Sequence, residues 1–588
     1  MSKKLLRLSL TVATMLTLMV ALLPASVAVA ADNEVTITAL YRQDVPVTFD
    51  GASSAEISSL DPQIPTDVIS IAAIENLFLG LTTVDPITNA IEAELATSWE
   101  VSADGLTWTF NLRNDANWMQ YDPSSDTAAV VRPVVAGDVV YGIKRACDPR
   151  LGSYYGSVAA TVIAGCDLVN QSPSESVTDE FVFGDTTKIS APDDVTVIIE
   201  LQFSAGYFFS MTPMWMLKAV PREIIEEYGD DWTQPGNIVT NGPYFLKENT
   251  RGVRRVFVRN DTLPVDLYAG TGNIEIQNVT LIEDTGTQYA LYLDKQLDTV
   301  SVPRAEIQNA LADSELSQQI LQIFDLAVGY YGFAHDKAPF DNVHARRAFS
   351  TIVNREAFVE QIAGGRGVPM IHFTPPGMFG APAINAVGIG YDPEYAVVEM
   401  EAAGYPNCEG FPSIDVVTQQ GAGTWAEFWA AAAEEHLGCD PALFNIEQLE
   451  FSVYLQVTDE DTAEQDRPHA WMALWGPDYP DANNWVGDVL SCEVKFGFKR
   501  PCTEVDDLIS QAAAEGDPIV REQLYAEIEE AFFGVDGEFP IAPIYLRSGF
   551  ILVQPYYTGP FETDGLFGGA HWDTRTIDMA AKLAAQGK

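Results

Sequence analysis

The sequence predicts an α/β protein, and two observations support this fold class. Strand-like and helix-like segments alternate along the whole chain, which is typical of mixed layers packed around shared cores. Hydrophobic residues make up 47% of the chain and aromatic residues 11%, enough for large cores. No tandem repeat, low-complexity tract or long linker interrupts the alternation. We therefore expect domains that are closely connected and not separated by flexible linkers.

The first thirty residues have the pattern of a secretory signal peptide. Lys3, Lys4 and Arg7 precede an almost unbroken apolar run at 8–23, and residues 28–30 form a small-residue cleavage site. The apolar run is short for a membrane span, so an uncleaved anchor is the weaker alternative. We expect this segment to be removed and the mature protein to act in the periplasm or at the outer face of the cell membrane. No cysteine lies near the cleavage point, so we expect no lipoprotein anchor.

The charge of the chain excludes one class of partner. There are 83 acidic and 33 basic residues, giving a formal net charge of -50. Such a surface repels phosphate backbones and anionic membrane faces. We therefore expect no nucleic-acid binding.

Six cysteines in an exported chain predict disulfides. The simplest pairing is sequential, and each bond then closes a short loop: Cys147–Cys166, Cys408–Cys439 and Cys492–Cys502. A metal site is the alternative. The chain has no CxxC pair and its six histidines are scattered, so we expect neither a metal nor a cofactor.

Local patterns place individual elements. Residues 35–40, 108–112 and 195–203 have the β-branched or alternating composition of strands. Residues 344–364 have helical spacing, with a break near Asn354, which caps a second helix.

Three further helices have start and stop signals. One opens at Asp392-Pro393 and stops at Gly404, and another opens at Asp517-Pro518 and ends near Gly534. A third opens on a capping box at 424–427 and runs to Gly438.

A series of short segments, in one order along the chain, resembles a known family. These segments are SLDP at 59–62, ENL at 75–77, ELATSWEVS at 94–102, DGLTWTF at 104–110, AGDVVY at 136–141, NGPY at 241–244, PFDNV at 339–343, RRAFS at 346–350, NRE at 354–356, YDPE at 391–394, AAGY at 402–405 and WGPDYPD at 475–481. Together they resemble the extracellular solute-binding proteins of the peptide and nickel class, which include the oligopeptide- and dipeptide-binding proteins of ABC importers.

The resemblance implies a two-lobed periplasmic-binding-protein fold of type II, in the large cluster. Each lobe is α/β, a hinge and a cleft lie between them, and an extra region elaborates lobe one. The division that we expect is 31–85 and 192–282 in lobe one, 86–191 in the inserted region, 283–539 in lobe two and 540–588 returning to lobe one. Closure of the hinge over a ligand excludes water and strengthens the polar contacts inside.

The resemblance also implies ligand-binding residues near the last motif. Asp478 follows the strand-like segment 470–474 and is expected to pair with the α-ammonium of a peptide. Trp475 is expected to form an apolar wall, with Tyr479 beside it. The alternative for Asp478 is that it only organises the turn between the two prolines of the motif.

Three more residues belong to the predicted site. Tyr155 matches a position where oligopeptide-binding relatives place a tyrosine that faces the ligand. Asn483 and Asn484 follow the motif and are candidates to donate hydrogen bonds to ligand carbonyls, with helix capping as the alternative.

One segment departs from the pattern of the family. Dipeptide-binding relatives have an arginine in a loop of lobe two that holds the ligand carboxylate. The corresponding segment here, 418–424, has neither arginine nor lysine. This departure favours a longer peptide with a looser hold on its C-terminus, or a neutral ligand such as an oligosaccharide.

The function predicted from the sequence is therefore capture of an oligopeptide by a monomeric binding protein that delivers it to the membrane permease of an ABC importer. A secreted hydrolase is the remote alternative. The chain has no HExxH or GxSxG motif, and no lone cysteine is available as a nucleophile.

Overall fold

The computed structural model describes residues 45–494, 496–561, 566 and 571–588. The predicted signal peptide and the predicted strand at 35–40 lie outside the described residues. The chain divides into two units, 1–46 and 47–588, and every element described below lies in the second unit.

Strands and helices alternate as predicted. The strands are β1 Thr48–Ser53, β2 Thr82–Val84, β3 Ile91–Ala93, β4 Ala96–Val101, β5 Thr107–Leu112, β6 Asn117–Asp122, β7 Thr127–Pro133, β8 Ile189–Asp193, β9 Thr196–Glu200, β10 Val239–Thr240, β11 Tyr244–Thr250, β12 Arg254–Arg259, β13 Ile276–Leu281, β14 Thr299–Ser301, β15 Ile320–Phe333, β16 Gly367–Pro369, β17 Ile414–Gln419, β18 Phe444–Leu449, β19 Ala470–Trp475, β20 Ile541–Val553, β21 Tyr557–Thr558 and β22 Thr576–Ile577.

The α-helices alternate with these strands along the chain, and the last helix follows the last strand. They are α1 Val68–Leu77, α2 Ala136–Cys147, α3 Gly156–Val162, α4 Cys166–Asn170, α5 Asp179–Phe183, α6 Phe208–Met211, α7 Arg222–Tyr228, α8 Thr285–Leu293, α9 Ile307–Ala312, α10 Val343–Thr351, α11 Arg355–Ala357, α12 Pro393–Ala402, α13 Gly423–Leu437, α14 Phe451–Val457, α15 Glu504–Ala514, α16 Pro518–Phe533 and α17 Met579–Ala585.

Most of the local predictions are confirmed. The strand at 108–112 is β5, whose side chains alternate between buried and exposed, while the strand within 195–203 is the shorter β9. Asp392 and Asp517 cap α12 and α16 through their side chains. Asn354 likewise caps the short helix that follows the predicted break.

The predicted capping box at 424–427 is wrong. Helix α13 begins one residue earlier, at Gly423, and its N-cap Ala422 provides no side-chain hydrogen bond. The reason is a turn that closes before Thr424, in which the amide of Ala422 donates to the carbonyl oxygen of Gln419 at 3.0 Å. Thr424 therefore lies inside the first helical turn. The end of the helix agrees with the prediction, because Gly438 adopts a left-handed conformation there.

Two sheets dominate the architecture. A four-stranded sheet has the order β1-β13-β12-β11, and a seven-stranded sheet has the order β14-β20-β15-β19-β17-β18, with β16 paired to β20. Another four-stranded sheet, β4-β5-β9-β8, lies within the region predicted as the insert and its flank. Strand β20 opens the segment predicted to return to lobe one, yet it pairs along most of its length with β15 in the seven-stranded sheet.

The long pair of β15 and β20 is interrupted by a bulge. Phe324 is opposite Ser548 and Val328 is opposite Leu546, so the three residues 325–327 of β15 face a single residue of β20, and β15 contains two extra residues here. Leu326 within the bulge has a φ of 56° although it is not glycine, and it is buried. A left-handed leucine is strained, and the surrounding core holds it in place.

The three predicted disulfides are present. They join Cys147 to Cys166, Cys408 to Cys439 and Cys492 to Cys502. The described residues contain no free cysteine.

A buried ion cluster lies where the four-stranded sheet meets β14 of the seven-stranded sheet. The Lys582 ammonium, from the C-terminal helix α17, contacts Asp298 at 2.6 Å and Asp50 at 2.9 Å. The side chain of Lys582 is 2% exposed and that of Asp298 is fully buried. The amide of Asp50 on β1 also donates to the Asp298 carboxylate at 2.7 Å. The two sheets are thus joined through charged groups that depend on one another.

Candidate functional site

The predicted site lies on the loop that follows β19. This strand runs between β15 and β17, and its first three residues are buried. It ends at Trp475, after which Gly476 is exposed and the loop passes through Pro477 and Pro480. A π-helical turn, Asn483–Gly487, closes the loop. Proline cannot continue the ladder of hydrogen bonds, so the chain leaves the sheet here and presents Asp478 beyond its edge.

Asp478 accepts hydrogen bonds from two side chains. The Tyr155 hydroxyl donates to one carboxylate oxygen at 2.8 Å, and the Asn484 amide donates to the other at 3.3 Å. The backbone amide of Asp478 in turn donates to the Asn484 side-chain oxygen at 2.9 Å. Tyr155 is 323 residues away in sequence, so this contact brings together two distant parts of the chain.

The Asp478 carboxylate has no positively charged partner in the part of the chain that the structure describes. Burial raises its pKa above the usual range, and the hydrogen bonds from Tyr155 and Asn484 oppose that effect. Burial and the adjacent carboxylate also raise the pKa of the Tyr155 hydroxyl. The pair is therefore a poorly solvated carboxyl group beside a neutral phenol, with no cation among the described residues.

A second carboxylate, Asp488, lies behind the first. The Tyr479 hydroxyl donates to it at 2.6 Å and the Asn484 amide at 3.1 Å. The Asn483 amide donates to the Tyr479 hydroxyl at 3.0 Å. Burial raises the pKa of Asp488 to about 6, and the negative charge of Asp478 adds to this effect.

Asp481 is a contrasting neighbour in the same loop. It is fully buried, but the Arg521 guanidinium contacts its carboxylate at 2.7 Å. The Ser210 hydroxyl and the backbone amide of Asn483 also donate to this carboxylate. Asp481 is thus neutralised inside the protein, whereas Asp478 is not.

An aromatic cavity of about 450 Å³ lies beside this loop. The side chains of its walls are mostly apolar, and none of those described is charged: Thr66, Tyr154, Tyr330, Gln419, Phe451, Tyr454, Leu455, Thr458, Trp471, Ala473, Leu474, Trp475, Phe496 and Phe498. Thr66 and Tyr154 come from the part of the chain predicted as lobe one and its insert. The other residues come from the predicted lobe two, so the cavity lies between the two parts.

Comparison with known proteins identifies the family. The model of the bacterial extracellular solute-binding proteins, family 5 (middle), matches residues 90–496. The chain belongs to this family. Periplasmic oligopeptide-binding protein OppA of Escherichia coli is 27% identical and aligns over 93% of this chain and 95% of its own.

Solved structures show the same fold. The unliganded open form of the periplasmic murein tripeptide-binding protein MppA superposes with a TM-score of 0.75, at 24% identity, covering 90% of this chain and 97% of that one. OppA of Haemophilus influenzae in complex with the peptide RPPGFSPFR gives a TM-score of 0.64 at 24% identity, covering 91% and 99%. This solute-binding protein therefore has the type II periplasmic-binding-protein fold predicted from its motifs.

The structure brings together all six predicted site residues of this solute-binding protein, but in two layers. Trp475, Asp478 and Tyr155 are each partly exposed at the cleft. Tyr479, Asn483 and Asn484 are buried, and their side chains are bonded to the carboxylates of the loop. The asparagine amides therefore support the loop in this conformation.

The sequence analysis missed several residues of the cavity wall. Tyr330 lies on β15, Tyr454 on α14, and Phe496 and Phe498 in the loop closed by the Cys492–Cys502 disulfide. One pattern in the sequence could have indicated these residues: Phe496 and Phe498 alternate within a short segment that begins and ends at a cysteine. Trp471 also lines the cavity, whereas Trp485 is fully buried against Phe373.

No group of metal-ligating side chains is found within the described residues. None of the helices described here is long and apolar enough to cross a membrane.

Proposed function

We propose that this family member is the substrate-binding component of an ABC importer, which captures an extracellular oligopeptide and delivers it to a membrane permease. One observation gives the strongest support for a peptide as the ligand. Asp478 is a largely desolvated carboxylate on the loop that follows Trp475, a residue of the aromatic cavity wall, and it has hydrogen-bond donors but no cation among the described residues. A peptide α-ammonium supplies the missing charge.

In this proposal the ligand ammonium lies against Asp478, while Trp475 and the aromatic wall receive the first side chains. Tyr155 orients the carboxylate from the opposite part of the chain. Tyr479, Asn483 and Asn484 hold the loop without contacting the ligand, because they are buried and already bonded.

We further propose that the four-stranded sheet β1-β13-β12-β11 and the seven-stranded sheet are the centres of two lobes that close over the peptide. The boundary of lobe two then extends past 539 to include β20, because β20 is paired with β15. The Tyr155–Asp478 contact is one of the contacts that closure would form. Small-angle scattering should show a smaller radius of gyration with bound peptide.

The same proposal includes binding without chemical turnover, export through the signal peptide, and no lipid anchor. The similar proteins are named as binding proteins, which supports the first of these. A ligand recovered unchanged after incubation would agree with it. Hydrolysed ligand would instead indicate an enzyme.

The decisive experiment combines Asp478→Asn with N-terminal acetylation of the peptide. A pool of random tri- to hexapeptides is offered to the protein, and retained species are measured by native mass spectrometry. Because each change removes one partner of a buried charged contact, each should weaken binding by about 2–5 kcal/mol. The two losses should not add, since both break the same contact.

Two control variants separate this role from general damage. Asp261→Asn removes an exposed carboxylate, whose side chain is 82% exposed, and should leave peptide binding unchanged. Asp481→Asn removes a carboxylate that has its own arginine, so it should lower stability but preserve the preference for a free N-terminus. If the wild type retains acetylated and free peptides equally, Asp478 does not bind the peptide ammonium. Retention of an oligosaccharide and of no peptide would favour the alternative ligand, with Trp475 as a stacking surface.

A further inference from the structure

A second cavity of about 320 Å³ adjoins the aromatic one. The two share Gln419, Ala473 and Leu474 in their walls. They meet where β17 and β19 separate, because the pairing of these parallel strands stops at Val417 and Trp471. Ligands of α/β proteins bind outside the carboxyl ends of such strands. The two cavities are therefore neighbours at this end of the sheet.

The second cavity is lined by one charged side chain among the residues described, Arg547 of β20. Its Nε donates to the Asp325 carboxylate at 2.5 Å. The terminal nitrogens Nη1 and Nη2 form no hydrogen bond with the described residues. The arginine side chain is 45% exposed. The guanidinium is therefore held on one edge, and its other edge is free for the two oxygens of a carboxylate.

The strained bulge explains how Arg547 is positioned. Asp325 is the first residue of the bulge on β15, which turns its carboxylate toward the neighbouring strand. Ala327, two residues later, lies beneath Gly476 of the Asp478 loop, since a Cβ at Gly476 would be 3.8 Å from the Ala327 Cβ. One irregular segment thus contacts both the loop with the free carboxylate and the arginine.

The wall of the same cavity includes the start of helix α13, with Gly421, Ala422 and Trp425. Ala422 provides no side-chain cap, so the partial positive charge of this 15-residue helix is not offset there. Both the helix end and the guanidinium favour an anion in this cavity.

We propose that Arg547 receives the C-terminal carboxylate of the bound peptide in this second cavity. This inference rests on the peptide-binding function proposed above. It assigns to strand β20 the basic group that the segment 418–424 lacks. Trp475, Val328 and Leu546 are consecutive partners across three strands, which separates the first and the last by about 10 Å. The strand that leads into the Asp478 loop and the strand that carries Arg547 are therefore close to each other at this point of the sheet.

The test compares free-acid and C-terminally amidated peptides in the wild type, Arg547→Gln and Arg547→Lys. The probes are equimolar pools of random tri- to hexapeptides in both forms, and retained species are measured by native mass spectrometry. The wild type should prefer the free acids by about 10- to 100-fold, as expected for a hydrogen-bonded charge pair. Arg547→Gln should retain both forms equally. Arg547→Lys should show an intermediate ratio of free acid to amide, because lysine keeps the positive charge but cannot donate two parallel hydrogen bonds to a carboxylate.

Arg254→Gln is the matched control, since Arg254 is 49% exposed and paired with Glu248 on the surface. It should keep the wild-type ratio. Equal retention of acids and amides by the wild type, or an unchanged preference in Arg547→Gln, would overturn the inference. In those cases sensitivity to N-terminal acetylation would still support the Asp478 role. Failure of the wild type to retain any peptide would overturn both proposals.

Discussion

Replacing Lys582 by methionine tests whether the ion cluster between the two sheets stabilises their junction. Methionine keeps most of the length of the side chain but removes the ammonium that contacts Asp298 and Asp50. Asp298 is fully buried, and its pKa is raised by burial even with Lys582 present. Removing one partner of a buried pair leaves an uncompensated charge, which costs about 3–5 kcal/mol.

The loss has a predictable pH dependence. Without the lysine, burial and the Asp50 charge raise the folded-state pKa of Asp298 further above its unfolded value. A carboxyl with a raised pKa contributes stability at low pH, which is lost as pH rises through the folded-state pKa. Lys582→Met should therefore be more destabilised at pH 7.5 than at pH 4.5, and adding Asp298→Asn should restore much of the loss.

Urea unfolding followed by tryptophan fluorescence at the two pH values measures this effect. Lys295→Met is the control, because Lys295 pairs with Glu315 at an exposed position, where an ion pair contributes about 0–1 kcal/mol. Equal unfolding midpoints for the two variants would refute the reasoning. So would a loss in Lys582→Met that does not change with pH.

Two further predictions concern titrating groups. Burial raises the pKa of Glu94 to about 7 from 4.5, so stability should fall as pH rises between these values, by about 3 kcal/mol. Glu94→Gln should remove this loss at pH 8 with little change at pH 4.5 in urea titrations, and a pH-independent effect would contradict it. Tyr155→Phe removes a donor to Asp478, so the carboxyl should protonate more easily. Peptide binding, which needs the ionised form of Asp478, should then be lost at a pH about one unit higher than in the wild type, as measured in a calorimetric pH series. An unchanged pH midpoint of binding would show that the Tyr155 hydroxyl does not stabilise the Asp478 carboxylate.

Local signals in the sequence predicted the features that depend on local chemistry. Asp392 and Asp517 cap their helices because the side chain reaches an amide two or three residues later. Sequential cysteines pair because each loop is short enough to bring them together. The motif around Asp478 placed the loop correctly, since prolines on both sides end the strand wherever it lies in the fold.

Features that depend on distant contacts were not predictable in this way. Arg547 has no local signature, because its partner Asp325 is 222 residues away and the bulge that aims it is set by strand pairing. The pairing of β20 with β15 has the same cause, since the composition of a single strand does not determine which strand it pairs with. The capping box at 424–427 shows the opposite error, because a turn at 419–422 places the N-cap at Ala422, two residues before Thr424.

The charges of the cleft limit the class of ligand that it can enclose. A neutral ligand that excludes water from Asp478 would leave the carboxylate desolvated without a counter-charge, and such burial is unfavourable. In the proposed binding mode, a peptide offers its ammonium to Asp478 and its carboxylate to Arg547. Opposite charges at the two ends also fix its direction, because the reversed peptide would place like charges together at both positions. The aromatic wall between them has no described charge and therefore suits varied side chains. Recognition of the two ends and tolerance of the middle are the properties that a carrier of many short peptides requires.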